Sequence, residues 1–132
     1  MFRRKHLPAA LEPAYAAFLT TVEPLERGKA ALTESVPGSR LPGRPLAETL
    51  LEFEEGLREA DRGMATWRVP ELEREWAAAD EAIRTCLGLA ERLRLEAEIP
   101  DGFEALIGTI GDLMAPLEAF GVAEERFREL RA

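Results

Sequence analysis

Neither asparagine nor glutamine occurs anywhere in these 132 residues. That absence removes the bidentate reading of adenine by a side-chain amide, and it removes an oxyanion hole or metal second shell built on such amides. Histidine is nearly absent too. His6 is the only imidazole and lies in a basic N-terminal arm, so the inward Glu-x-x-His pairs of a dimetal carboxylate bundle cannot be assembled. With Cys86 as the single cysteine, no intrachain disulfide, CxxC pair or zinc spacing exists. The chain has no glycine-rich phosphate loop, and its two serines, Ser35 and Ser39, fall at or beside a proline- and glycine-rich stretch with no imidazole to activate them. No uncharged apolar run approaches the ~20 residues that span a bilayer, and the Met1–His6 segment leads into no signal-type apolar stretch. The expectation is a reducing, cytoplasmic setting with no membrane and no cofactor. Lysine is scarce as well, arginine outnumbering it fifteen to two, which together with the missing amides points to a G+C-rich genome.

What the chain does contain is a repeated spacing of large apolar residues at alternating steps of four and three. Such steps return close to whole turns of a 3.6-residue helix and collect side chains on one stripe. The pattern runs Leu11, Tyr15, Phe18, Val22, Leu25, Lys29, Leu32, where Lys29 is its one charged interruption. It returns as Leu46, Leu50, Phe53, Leu57, Ala60, Met64, Trp67, and again as Leu72, Trp76, Ala79, Ile83, Cys86, Ala90, Leu93, Ala97. The last stretch is Phe103, Leu106, Ile110, Leu113, Leu117, Phe120. Four amphipathic segments in one chain of domain size predict an all-α, antiparallel four-helix bundle, long enough to bury a core without staples. Cys86 stands on the third stripe and reads as a small buried hydrophobe.

Punctuation sets the expected boundaries. The first helix should run from about Pro8 to Ser35, and the segment 36–45, with three prolines and two glycines in ten residues, cannot continue it. The second should start at Pro45 and stop between Arg62 and Trp67, because Gly63 suits a helix end while the stripe persists beyond it. Val69-Pro70 breaks the chain, Pro70 opens the third helix, and that helix should end near Ile99. Asp101 followed by Glu104 forms a capping-box pattern for a fourth helix beginning at Gly102. Pro13 and Pro24 are expected to kink the first helix and Pro116 the fourth, and Gly121 could split off a short fifth. The whole chain reads as one domain with a basic arm over residues 1–7.

Charge narrows the function classes further. The net charge of −8, from 25 acidic and 17 basic residues, disfavours nucleic acid despite Arg3, Arg4, Lys5, Arg40 and Arg44. Acidic pairs such as Glu55 with Glu59 could hold Mg²⁺ in principle, yet they are interleaved with Arg58 and Arg62, and Glu54–Arg58 and Asp80–Arg84 have ion-pairing spacing, so a solvated, ion-paired face is expected there. From Leu95 through Glu125 eight carboxylates occur with no lysine or arginine, a negative flank that could steer a basic partner. On the fourth helix the apolar residues gather on one arc, while Gly108, Gly111 and Ala115 fall opposite with Glu104 and Glu118. Glycines on an outward face weaken a helix by about 0.5–1 kcal/mol each relative to alanine. A strip of small residues there marks a candidate docking surface: Glu104, Gly108, Gly111, Ala115 and Glu118. Leu51 and Leu95 lie off the main stripes and add apolar surface.

With no acid, base or nucleophile constellation visible, the leading expectation is a non-catalytic bundle that works through protein association, as a homo-oligomer or with a protein partner. The alternative is a small-molecule-binding bundle with an apolar pocket between helices lined by Phe18, Phe53, Trp76, Ile110, Met114 and Phe120.

Overall fold

A computed structural model describes residues 6–34, 45–96 and 102–131, with the side chains of 102–107 outside that description. The basic residues Arg3, Arg4, Lys5, Arg40 and Arg44, the serines, and the cap at Asp101 therefore lie outside the described residues. Within them the chain is helical and holds no strand. A 3₁₀ turn at Ala9–Leu11 leads into α1 (Glu12–Thr33), followed by α2 (Leu46–Gly63), 3₁₀ turns at Met64–Trp67 and Pro70–Leu72, α3 (Glu73–Glu96), α4 (Gly102–Leu113) and α5 (Ala115–Glu129). Helices α4 and α5 form the fourth arm of the bundle, divided at Met114. No helix among the described residues is long and apolar enough to cross a membrane.

Side-chain pairings fix the directions. Thr21, Pro24 and Gly28 of α1 meet Gly63, Gly56 and Phe53 of α2 in descending order. Glu54 of α2 meets Arg94 of α3, and Met64, in the turn that follows α2, meets Trp76 of α3. Tyr15 meets Phe127 at one end of α1, while Lys29 and Leu32 share a pocket with Ile110 and Met114 at the other. Each arm therefore runs opposite to its two neighbours. The helices flanking segment 36–45 are adjacent, which makes this an up-down-up-down bundle.

The stripes explain the core. Leu50, Phe53, Leu57, Ala60, Met64 and Trp67 are all buried, as are Ala79, Ile83, Cys86, Ala90 and Leu93 on α3. Both expected ends of the second helix are real: the α-helix stops at Gly63 and the 3₁₀ turn carries Met64 and Trp67 inward. At this end of the bundle Phe18 is the hub of an aromatic cluster, with ring centroids 5.1 Å from Trp67, 5.3 Å from Phe120 and 5.2 Å from Phe127. Trp67 is fully buried and its Nε1 has no hydrogen-bond acceptor among the described residues. Leaving such a donor unpaired costs about 1–3 kcal/mol. The burial of its large ring system offsets that cost. Trp76, by contrast, donates its Nε1 to the Met64 carbonyl at 2.8 Å, tying α3 to the preceding turn, and carries the Arg68 guanidinium 3.9 Å over its ring.

The prolines act differently from one another. Pro13 falls in the first turn of α1, where its missing N–H has no intrahelical partner to lose, and Pro24 stands inside an α1 that continues past it. In the fourth arm Pro116 cannot donate to the Asp112 carbonyl, and the break appears just before it at Met114. Met114 N–H is shared between the Ile110 and Gly111 carbonyls, both at 3.2 Å, and Glu118 N–H resumes the helical pattern onto Met114. The division expected at Gly121 does not occur. Gly121 lies within α5, where nothing but open space surrounds the position of an added Cβ, so this glycine ends no helix.

Candidate functional site

A groove of about 600 Å³ lies between α3 and the α4–α5 arm. It exists because this side of α3 carries short side chains. Ala78, Ala82, Thr85 and Cys86 form a shallow floor with Leu89, and Ala115 closes it from the other arm. Charged residues edge this floor, Glu81 and Arg92 on α3 and Asp112 on α4. Asp112 and Ala115, three residues apart, line the same groove from successive helices. Cys86 lies beneath the surface, 1% exposed, and its thiol donates to the Leu113 carbonyl at 3.4 Å.

Burial, reinforced by the Asp112 charge, pushes the Cys86 thiol up to about 12. A group so raised favours the folded state while it stays protonated. Its contribution is whole below the ordinary thiol value of 9.0 and is lost as the pH climbs towards about 12. Iodoacetamide in mildly alkaline buffer should therefore leave the folded chain unmodified and label it quantitatively once denaturant opens the bundle. Labelling that proceeds at the same rate without denaturant would show the groove floor to be open at Cys86.

The residues of the expected docking surface are distributed as follows. Gly108 and Gly111 are exposed and an added Cβ at either would meet nothing within 4 Å. Ala115 lines the groove, Glu118 is exposed, and the side chain of Glu104 lies outside the described residues. Spacing brings Gly108, Gly111 and Ala115 along one line of the arm, and the structure adds the α3 wall, which periodicity on a single helix could not supply.

The six residues of the expected apolar pocket separate. Phe18 and Phe120 are stacked in the filled aromatic cluster, Phe53 packs against Gly28, and Trp76 covers the turn at Met64. Ile110 and Met114 alone share a pocket, of about 230 Å³, with Lys29, Leu32 and Thr33. Leu51 and Leu95 are exposed, 41% and 70%, and meet in a depression with Ala47, Glu48 and Arg94.

Two acidic groupings resolve into ion pairs. Glu59 accepts from Arg27 at 2.9 Å, joining α2 to α1 at the surface. Glu54 is a correction to the solvated face expected for it: its side chain is fully buried, held by Arg58 at 3.3 Å one turn away and by Arg94 from α3. No group of three histidine, cysteine, aspartate or glutamate residues able to hold a metal ion occurs among the described residues. Comparison of the chain with protein-family models, with curated proteins and with solved structures finds no match.

Proposed function

We propose that this chain is a non-catalytic helical bundle that works by protein association, and that its docking face is the groove between α3 and the α4–α5 arm. The observation that carries the reading is the groove's construction: a floor of alanine, threonine and cysteine side chains edged by Glu81, Arg92 and Asp112. Small side chains let a partner helix come close to both backbones, and the edging charges select its orientation. The partner we commit to is a second copy. Arg92 and Asp112 sit on opposite walls, so a two-fold related copy can exchange an Arg92–Asp112 pair in both directions, as an isologous interface requires.

Native mass spectrometry and sedimentation of the intact chain should show twice the 14.7 kDa mass. Asp112→Arg alone and Arg92→Asp alone should each return the monomer by setting like charges against one another, and the two together should restore the dimer. A chain that is monomeric at its highest soluble concentration, or a dimer indifferent to both reversals, would sink the proposal. The arrangement of the groove supports association over a buried-ligand role because it is open along its length and its floor is shallow.

A further inference from the structure

The pocket between α1 and α4 has a different character from the groove. Its wall is apolar, built by Leu32, Ile110 and Met114, with Lys29 and Thr33 as the polar members. Lys29 is one of only two lysines in a chain with 25 carboxylates, and it occupies the stripe position between Leu25 and Leu32 where an apolar residue is expected. Carboxylate–arginine pairs recur along the described surface, but Lys29 forms no ion pair with any described residue. The single proton of the Thr33 hydroxyl is shared between the Lys29 and Ala30 carbonyls, at 2.8 and 3.0 Å, and is committed to the backbone. Ile110, a large hydrophobe, stays 42% exposed beside it.

We propose that this pocket binds an amphipathic monocarboxylate, its apolar chain against Leu32, Ile110 and Met114 and its carboxylate against the Lys29 ammonium. The chemistry follows from a charge that has no ion-pair partner among the described residues. A long lysine stem can lie along apolar surface and hold its ammonium at the rim, which is where the head of an inserted chain emerges. A carboxylate there gains a charge-assisted hydrogen bond, whereas a cationic head is repelled and a neutral head gains only the burial of its chain. The space suffices for a short chain: about 230 Å³ exceeds the ~150 Å³ of a cavity that takes up benzene. This site is separate from the docking groove and does not depend on association.

The test uses the full chain and three probes of equal length, octanoate, octanol and octylamine, followed by calorimetry and by the methyl resonances of Leu32 and Ile110. The expected result is saturable binding of octanoate, tighter than octanol by about three- to fivefold, the effect of a partly exposed charge pair, with octylamine weakest. Lys29→Met keeps the apolar length and should bring octanoate down to the level of octanol while leaving octanol unchanged. Met114→Trp, which fills the pocket, should remove all three. Equal binding of the three head groups to the unmodified chain, binding of octanoate that leaves both methyl resonances unmoved, or no octanoate binding would each overturn the proposal.

Discussion

Gly56→Ala should destabilise the fold, although alanine is the better helix former. A Cβ at position 56 would lie 2.4 Å from the Pro24 carbonyl oxygen and 3.3 Å from its carbon. Both are backbone atoms inside α1, so no side-chain rotation relieves the contact and the helices must separate. Overpacking of this kind costs about 1–3 kcal/mol. The alanine helix propensity returns at most ~1 kcal/mol of it. Spreading the α1–α2 seam also loosens Gly28 against Phe53, whose Cα is already 3.2 Å from where a Gly28 Cβ would stand. The expected thermal midpoint falls by several degrees for Gly56→Ala and by less for Gly28→Ala. Gly108→Ala and Gly111→Ala are the internal controls, because an added Cβ at either meets only open space. Each should raise stability by about 0.5–1 kcal/mol. Thermal unfolding of the single variants decides the matter: a Gly56→Ala protein that gains stability as Gly108→Ala does would show that the two helices do not pack as closely as the structure has them.

This contrast marks what could be read in the chain alone. The apolar stripes were legible because helix geometry turns spacing directly into a shared face, and Leu50, Phe53, Leu57, Ala60, Met64 and Trp67 are accordingly buried together. Gly56 carried a similar signal, standing three residues after Phe53 and four before Ala60 on the same side. Its partner Pro24 is on another helix, however, and spacing within α2 says nothing about how near a second backbone comes. Gly108 and Gly111 drew notice for facing outward, where their effect on the bundle itself is small. The groove was half legible for the same reason. Ala115 could be placed from its own helix, but Ala78, Ala82 and Arg92 enter only when α3 is laid beside it. The division of the fourth arm belonged to Pro116, which lacks a donor, rather than to Gly121, which a helix interior tolerates.

Glu54 gives the second large effect, and its sign depends on which partner is removed. The pairing with Arg58 one turn away makes it look like part of a solvated face, yet its second partner, Arg94, is 40 positions further along the chain. In the fold Glu54 is fully buried while Arg94 and Arg58 keep 30% and 45% of their side chains in contact with solvent. The two arginines can turn to water if the carboxylate goes, but the carboxylate cannot if Arg94 goes. Arg94→Leu should therefore be strongly destabilising: a carboxylate left buried without compensation costs about 3–5 kcal/mol, and Arg58 moves the expected loss towards the bottom of that range. Glu54→Leu should be close to neutral, since a buried ion pair replaced by apolar packing of similar volume often costs nothing. Adding Glu54→Leu to Arg94→Leu should recover most of what the arginine variant lost, because the uncompensated charge is then gone. Chemical denaturation of the two single variants and the double variant completes the cycle. Equal losses for both singles, with no recovery in the double, would mean that the α2–α3 contact needs the pair itself, and that the cost does not come from an unpaired buried carboxylate.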